Sequence, residues 1–229
     1  MKTIAIIQAR MASSRLPSKV FRRLGALTVI EWVLLRTRRF NFIDQVCLAT
    51  TCKPEDDAIV KVAKQYGVPC VREGCQLLDG RNDVLARYAV AARMLKADHI
   101  VRVTADCPFI SPQLAAEVWH RYDFQNYTAN VIPELDGFDV EIFPAERLFE
   151  MVTNITNMDD RHHITPVLRR TPWTYVAQPQ VHGRKLSLDT PQDLAFLEAI
   201  AKRVDLYAEW PEIIKAADDI KWEERHGTL

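Results

Sequence analysis

The stretch Thr3-Ile4-Ala5-Ile6-Ile7-Gln8 decides how the rest of the chain is interpreted. It is a short apolar run with β-branched residues, which is typical of a strand buried on both faces of a sheet. The residues that follow, 9–19, form a polar and basic segment. A buried strand followed directly by a basic loop places that loop at the edge of the sheet where α/β proteins bind ligands.

Strand-like and helical segments alternate outward from this start as far as about residue 122. Predicted strands cover 3–8, 45–49, 68–71 and 99–104, and predicted helices cover 29–39, 54–66, 84–96 and a segment that begins at Ser111-Pro112. Asn82 or Asp83 is expected to cap the third helix. Gly67 is expected to end the second. The alternation predicts a three-layer, mostly parallel, Rossmann-like α/β sheet covered by helices.

The pattern changes after about residue 122. Short strand-like pieces are expected at 126–131, 136–143, 173–177 and 185–188, and helices at 145–151, 159–170 and 194–204. Thr190-Pro191 with Asp193 predicts a capped start for the last of these helices. No repeat or linker separates the parts. We therefore expect one domain over 1–229, with a small α+β extension at about 123–186.

Composition excludes several classes of protein. The 229 residues carry 30 Lys+Arg and 30 Asp+Glu, a net charge of +0, so no global field attracts nucleic acid or anionic lipid. No apolar run reaches the roughly 20 residues of a membrane span. The first apolar run is too short for a signal peptide, so a cytoplasmic protein with no nucleic-acid or membrane partner is expected.

The cysteines do not indicate a disulfide framework. There are five of them, an odd number, and the pairs Cys47/Cys52 and Cys70/Cys75 only loosely resemble zinc-ligand spacing. Cys47 lies inside an apolar strand-like run. Reduced cysteines that behave as small core residues are therefore expected, rather than a zinc site.

Three polar clusters follow predicted strands and are candidates for a ligand site. The first contains Arg10, Arg15 and Lys19, whose side chains suit phosphate oxygens, with small residues between them that let backbone N–H groups approach an anion. The second contains Asp106, which would need a cation or several donors at the end of an interior strand. The third contains Asp189, for which a metal ligand and an ordinary helix cap both remain open.

Two weaker constellations lie further along the chain. Asp139 and Glu141 would share one face of a strand, close to Asp136, and could hold substrate hydroxyls or simply be exposed. His162 and His163 could contact an anion or substrate, but adjacent residues do not share a helix face, which argues against a histidine metal site.

Five motifs occur in order between about residues 3 and 197. Residues 8–19 fit Q-A-R-M-x-S-x-R-L-P-x-K, 84–88 fit V-L-x-R-Y, 102–110 fit R-x-T-x-D-C-P-x-I, 137–143 fit G-x-D-V-E-x-F, and 188–194 fit x-D-T-P-x-D-L. Together they resemble the cytidylyltransferases of the acylneuraminate and 3-deoxy-manno-octulosonate type. The spore coat polysaccharide biosynthesis protein F family looks like the nearest branch.

The resemblance implies a nucleotide-diphospho-sugar transferase fold (GT-A-like), CTP as donor, Mg²⁺ as cofactor and a possible homodimer. Release of pyrophosphate and a CMP-linked product are expected, with a small anionic acceptor, in surface polysaccharide or glycoconjugate biosynthesis. Arg10, Arg15 and Lys19 would face the triphosphate as the catalytic cations, and Asp106 and Asp189 would hold magnesium. The other expected nucleotide contacts are Gln8, Ala9, Ser13, Ser14, Asn82, Asp83, Arg87 and Thr104. The expected acceptor contacts are Arg102, Asp136, Asp139, Glu141, His162, His163 and Arg169.

The sequence departs from the family pattern at a few positions. Ala12, Ser18 and Ala105 stand where glycine is common, and a residue other than glycine is strained where φ must be positive. Thr28 replaces a common proline. Two other readings remain: a metal-dependent glycosyltransferase of the same fold, which usually carries a D-x-D motif, and a nucleotide-binding module without catalysis.

Overall fold

The computed structural model describes residues 1–73, 83–131, 136–177 and 185–226. Its strands are β1 (Thr3–Gln8), β2 (Arg23–Leu24), β3 (Leu27–Thr28), β4 (Gln45–Thr50), β5 (Cys70–Arg72), β6 (His99–Thr104), β7 (Tyr127–Ala129), β8 (Glu141–Pro144) and β9 (Trp173–Tyr175). Its α-helices are α1 (Val29–Thr37), α2 (Asp57–Gln65), α3 (Val84–Leu95), α4 (Pro112–Arg121), α5 (Ala145–Asn154), α6 (Met158–His162), α7 (Ile164–Leu168), α8 (Pro191–Ala201) and α9 (Trp210–His226). Short 3-10 turns occupy Lys19–Phe21 and Pro54–Asp56.

The central sheet has seven strands in the order β5-β4-β1-β6-β8-β7-β9. β1 pairs in parallel with β4 on one side and with β6 on the other, and β4 pairs in parallel with β5. β8 is antiparallel to both β6 and β7, while β9 is parallel to β7. After β1 the chain first forms the side of the sheet that contains β4 and β5, and then the side that begins with β6. That reversal opens a crevice at the carboxyl ends of β1 and β6.

β1 is buried on both faces, as its sequence predicts. Ile4 and Ile6 pack into the core under α3 and α5, whereas Ala5 and Ile7 pack on the opposite side against α1, α2 and α4. All four are 0% exposed. Helices on both sides of a mostly parallel sheet confirm the predicted three-layer α/β class.

Helix starts were predictable where side chains cap them. Asp83 caps α3 by accepting the Ala86 N–H at 2.9 Å. Thr190 and Asp193 form the expected capping box at the start of α8. Asn82, the alternative cap for α3, lies outside the described residues.

A third core lies outside α1, where α8 and α9 pack around Trp32. α9 was not among the predicted helices. The sequence does contain a signal for it, since four apolar residues recur at helical spacing and are buried: Ile213, Ala216, Ala217 and Ile220. Pro211 near the start of that helix is a further signal that was available.

Arg36 ties this outer layer to the rest of the fold. It is 0% exposed, and burial lowers its pKa to about 10, so the guanidinium stays charged at neutral pH. Its nitrogens donate to the carbonyl of Ile110 at 2.7 Å, to that of Leu206 at 2.7 Å and to that of Ala208 at 2.9 Å. One side chain from α1 thus satisfies three carbonyls on two distant segments.

Three predicted segments differ in the structure. Residues 136–143 form a strand only from Glu141, because the Val140 N–H is taken by the Asn130 side chain at 2.7 Å rather than by a sheet partner. Asp139 therefore lies ahead of the strand and does not share its face with Glu141. The segment 159–170 is broken into α6 and α7 at His163, whose φ is −116° and ψ 85°.

The predicted strand at 185–188 is also wrong. This segment is irregular, and its backbone donates two isolated hydrogen bonds, from Leu186 N to Asp136 O at 2.7 Å and from Leu188 N to Asp106 O at 2.8 Å. Gly137 makes the close approach possible, since a Cβ there would lie 2.4 Å from the Leu186 Cβ. The contact fixes the segment that leads into Asp189.

We predict that Gly137→Ala destabilises the protein by on the order of 2 kcal/mol or more, because backbone must move to relieve the clash with Leu186. Gly67→Ala is the matched control. Its φ is also positive, at +62°, but nothing lies within 4 Å of a Cβ there. The free energy of unfolding of that variant should fall by only about 1 kcal/mol, which is the cost of a left-handed conformation for alanine. Urea unfolding measures both, and equal losses would contradict the packing argument.

We predict that Arg36→Met lowers the free energy of unfolding by on the order of 3 kcal/mol, because three carbonyls lose a charged donor. Arg39→Met is the control, since Arg39 pairs at 2.7 Å with a Glu209 that is about one-third exposed. A partly exposed pair of this kind contributes at most about 1 kcal/mol. Chemical denaturation of both variants tests the difference, and comparable losses would be the contrary result.

Candidate functional site

A cavity of about 190 Å³ opens at the carboxyl ends of β1 and β6. Most of its wall comes from the basic segment after β1 and from the end of β6. Its lining residues are Gln8, Ala9, Arg10, Ala12, Ser13, Ser14, Arg15, Lys19, Val20, Thr104, Ala105, Asp106 and Asp189. The first two polar clusters and Asp189, which are far apart in the sequence, thus meet in one place.

Lys19 lies at the centre of the site. Its Nζ is 2.5 Å from Asp106 Oδ2 and 2.9 Å from Asp189 Oδ1. The ammonium is mostly buried, with 14% of the side chain exposed. Burial alone would lower the pKa of Lys19, but the two aspartates outweigh it and raise that pKa. One cation therefore joins the basic loop, the end of β6 and the segment before α8.

Asp189 collects further cations. Arg15 Nη2 lies 2.9 Å from Asp189 Oδ1, and the Lys185 ammonium contacts the other carboxylate oxygen. Burial would raise the pKa of Asp189, but hydrogen bonds from Lys185 and Lys19 bring it down to about 2. The carboxylate is therefore ionised at any pH near neutrality. Lys185 was not among the residues that sequence analysis selected.

The donor set of Asp106 and Asp189 suits a hard divalent cation. Their nearest oxygens already share one cationic partner, the Lys19 ammonium, at 2.5 and 2.9 Å. Mg²⁺ typically takes one or two carboxylates and completes its shell with phosphate oxygens and water. The helix-cap alternative for Asp189 is not what the structure shows, because Thr190 caps α8.

The basic loop is closed at its neck by a hydrogen bond from Ser18 N to Met11 O at 3.0 Å. Ser18 adopts a left-handed conformation with φ 57°, so this glycine-like position does carry strain. Ala12 and Ala105 are not among the residues with positive φ. Neither position therefore needs the positive φ that would strain an alanine.

Two of the predicted nucleotide contacts lie outside the cavity wall. Both carboxylate oxygens of Asp83 have partners, the Ala86 N–H and the Arg161 guanidinium. Arg87 is 0% exposed and donates from Nε to Glu73 O at 3.0 Å. Its Nη1 and Nη2 are buried and have no hydrogen-bond partner within the described parts of the chain.

The predicted acceptor contacts divide into separate groups. Glu141 is 1% exposed and accepts from Arg102, from the Tyr127 hydroxyl at 2.9 Å and from the Thr165 hydroxyl at 2.8 Å. Burial lowers the pKa of Arg102, but the Glu141 carboxylate outweighs burial and raises it. Glu141 is thus fully used inside the protein, which makes it a poor candidate for contact with a substrate.

Asp136 and Asp139 lie beside Cys107, which is the residue that follows Asp106 in the sequence. The Cys107 thiol and the two carboxylates bring ligand atoms within 4.8 Å of one another, donors that a metal ion could use. Burial and the neighbouring Asp136 raise the pKa of Asp139 well above its usual range. Cys47, Cys70 and Cys107 are free thiols.

The remaining predicted acceptor residues come from the helical segment after α5. The His162 and His163 rings meet edge to face at 4.6 Å. Arg169 donates to the Val131 carbonyl and lies over the Trp173 ring, 4.6 Å from its centroid. The structure does not bring these three into the wall of the cavity.

Among the described helices, none combines the length and the apolar composition that a membrane span requires.

Comparisons with known proteins agree with this architecture. The sequence model of the family described as Cytidylyltransferase matches residues 4–213. The chain is similar to the spore coat polysaccharide biosynthesis protein SpsF of Bacillus subtilis, with 27% identity over 86% of this chain and 85% of that protein. It is also similar to a 3-deoxy-manno-octulosonate cytidylyltransferase of Synechococcus elongatus, with 30% identity over 63% of this chain and 54% of the relative.

A solved structure extends the similarity to the whole fold. A cytidylyltransferase from Leptospira borgpetersenii superposes with a TM-score of 0.87 at 25% identity, covering 100% of this chain and 99% of the other. The family match spans most of the sequence, including the loop after β1, Asp106 and Asp189. The chain therefore belongs to the cytidylyltransferase family and is a nucleotidyltransferase.

Proposed function

We propose that the protein transfers CMP from CTP to a small anionic acceptor, a sugar acid or a related phosphorylated or phosphonate compound, and releases pyrophosphate. The observation that carries this proposal is the Lys19 ammonium held between Asp106 and Asp189 at the mouth of a cationic loop. Carboxylates that can hold a cation thus adjoin groups that suit phosphate oxygens. The names of the two relatives reported above suggest a role in surface polysaccharide or glycoconjugate synthesis.

The cations of the loop would bind the triphosphate. Arg10 and Arg15 suit the paired oxygens of a phosphate, and Lys19 supplies a point charge. Small Ser13 and Ser14 let the backbone approach the same anion. Gln8 adds a buried Oε1 without a hydrogen-bond partner in the described chain, which would accept a hydrogen bond from the nucleotide. The buried Nη donors of Arg87, which have no partner among the described residues, would suit a further acceptor atom.

Asp106 and Asp189 would hold Mg²⁺. The ion would supply charge neutralisation at the α-phosphate and orientation of the acceptor. The Lys19 ammonium, which lies beside both carboxylates, would bind phosphate oxygens next to that ion. Two carboxylates close together repel each other. Arg15 and Lys185 reduce that repulsion because both pair with Asp189.

The reaction needs no covalent intermediate with the protein. An acceptor oxygen attacks the α-phosphorus in line, and its bond to phosphorus forms as the bond to the oxygen that bridges to the β-phosphate breaks. Pyrophosphate leaves, and an acceptor hydroxyl gives up its proton to solvent. Arg10, Arg15 and Lys19 would stabilise the charge that develops on the leaving group. Catalysis would rest on positioning and electrostatic stabilisation.

The acceptor side is assigned to the extension at about 123–186. Asp136 and Asp139 lie beside Cys107, the residue that follows Asp106 in the sequence, and burial raises the pKa of Asp139. An acidic pair of this kind would suit hydroxyls or an amine on the acceptor. His162, His163 and Arg169 stay candidates for contacts with its anionic group. A homodimer formed through the same extension also stays a prediction.

We expect pyrophosphate release from CTP and Mg²⁺ with only one class of acceptor in a panel of sugar acids, phosphonates and phosphorylated small molecules. ATP, GTP and UTP serve as controls for the base. A coupled pyrophosphate assay measures the release. Transfer of a sugar from a nucleotide sugar without pyrophosphate would favour the glycosyltransferase reading. Tight CTP binding with no release from the whole panel would favour a binding module.

We predict that Asp106→Asn and Asp189→Asn each lower kcat by on the order of 10²-fold, because each removes a preorganised charge at the reacting phosphate. Asp219→Asn is the control, since Asp219 is more than half exposed on α9, away from the cavity, and pairs with the exposed Lys215. Rates are measured across a Mg²⁺ titration, together with melting temperatures. A loss below tenfold at saturating Mg²⁺ would remove the carboxylate from its assigned role.

A further inference from the structure

We infer that Asp56 is a positioning residue of the nucleotide site and acts through the backbone of the basic loop. Asp56 lies outside every motif that sequence analysis selected and outside the cavity wall. It occupies the N-cap position of α2, where an aspartate ordinarily accepts an N–H of its own helix. Its side chain makes no such bond.

The carboxylate is turned toward the loop instead. Oδ1 accepts the Met11 N–H at 2.7 Å, and Oδ2 accepts the Thr51 N–H at 3.2 Å together with the Thr51 hydroxyl. Asp56 is 1% exposed and Thr51 is 2% exposed. A buried carboxylate with three donors on two segments has a fixed orientation, and these hydrogen bonds stabilise its charge.

The bond to Met11 controls where the loop cations point. The Met11 N–H belongs to the peptide unit that joins Arg10 to Met11, so fixing it fixes the backbone from which the Arg10 side chain leaves. The Met11 carbonyl accepts the Ser18 N–H at 3.0 Å, immediately before Lys19. Arg10 and Lys19 therefore flank a neck that Asp56 attaches to the end of β4.

The support beneath Asp56 is itself firm. The Asp56 N–H bonds to the Lys53 carbonyl at 3.0 Å within the short turn that begins at Pro54. Thr51 follows directly on β4, which pairs with β1. The carboxylate thus transmits the position of the sheet to the loop, across 45 residues of sequence.

The decisive test compares Asp56→Ala and Asp56→Asn with Glu55→Ala. Glu55 is the adjacent acid in the same turn and is exposed, so its loss matches the change in charge without touching the loop. The first readout is amide hydrogen exchange over residues 9–19, which requires no substrate. We expect exchange there to speed up by about tenfold or more in Asp56→Ala, because the neck loses its anchor. Glu55→Ala should match the wild type.

The second readout is kinetic and rests on the proposed function. In Asp56→Ala we expect kcat/KM for CTP to fall by about 10- to 100-fold, mainly through KM, since misplaced phosphate contacts are costly. Asp56→Asn should recover part of the loss, because an amide oxygen can still accept the Met11 N–H. Should Asp56→Ala not fold, Asp56→Asn carries both readouts, with smaller changes in the same direction.

Unchanged exchange over 9–19 in Asp56→Ala would overturn the inference, whatever the enzyme does with CTP. So would equal effects of Asp56→Ala and Glu55→Ala on KM. A double variant adds a coupling test: with Arg10→Ala already in place, Asp56→Ala should cost less than it does alone. Full additivity would show that Asp56 acts through general stability. A wild type that makes no pyrophosphate would count against the proposed function only, because the exchange experiment still decides the inference.

Discussion

The bond between the Lys19 ammonium and the carboxylates of Asp106 and Asp189 is the interaction on which the site depends. Its three residues come from the loop after β1, the end of β6 and the segment before α8. Each group alone would be costly in a half-buried position, and together they neutralise one another. The same grouping makes the carboxylates a cation site that adjoins a phosphate site. Packing and chemistry therefore place demands on the same three side chains.

Elsewhere, single buried charges hold distant segments by binding backbone. Arg36 serves the outer layer through three carbonyls, and Asp56 serves the loop through a peptide N–H and Thr51. Such groups specify one arrangement, because an apolar side chain could not satisfy the same backbone atoms. The Arg102–Glu141 pair fixes the other half of the sheet through side chains instead, and it joins β6 to β8. The protein thus uses buried charge mainly to fix positions around the cavity.

Local signals made the nucleotide half of the fold predictable. Ile4 to Ile7 form a run that only a doubly buried strand explains, and Asp83 and Thr190 cap helices by contacts within four residues. The basic loop and Asp106 follow strands directly, so the topology of a parallel sheet was enough to bring them together. The meeting of Asp189 with Lys19, 170 residues apart, needed the family resemblance as well, because Asp before Thr-Pro is an ordinary helix start.

The acceptor half was less predictable because its contacts are non-local. Residues 136–139 look like a strand, but Asn130 takes the Val140 N–H and Gly137 accepts Leu186 against its backbone. Neither contact leaves a periodic trace in the sequence. Asp56 shows the opposite failure, since it lies in the first turn of the predicted helix 54–66, yet its carboxylate binds the Met11 N–H of the basic loop. Such a contact cannot be identified from local sequence, because the side chain leaves its own helix uncapped and its partner is 45 residues away.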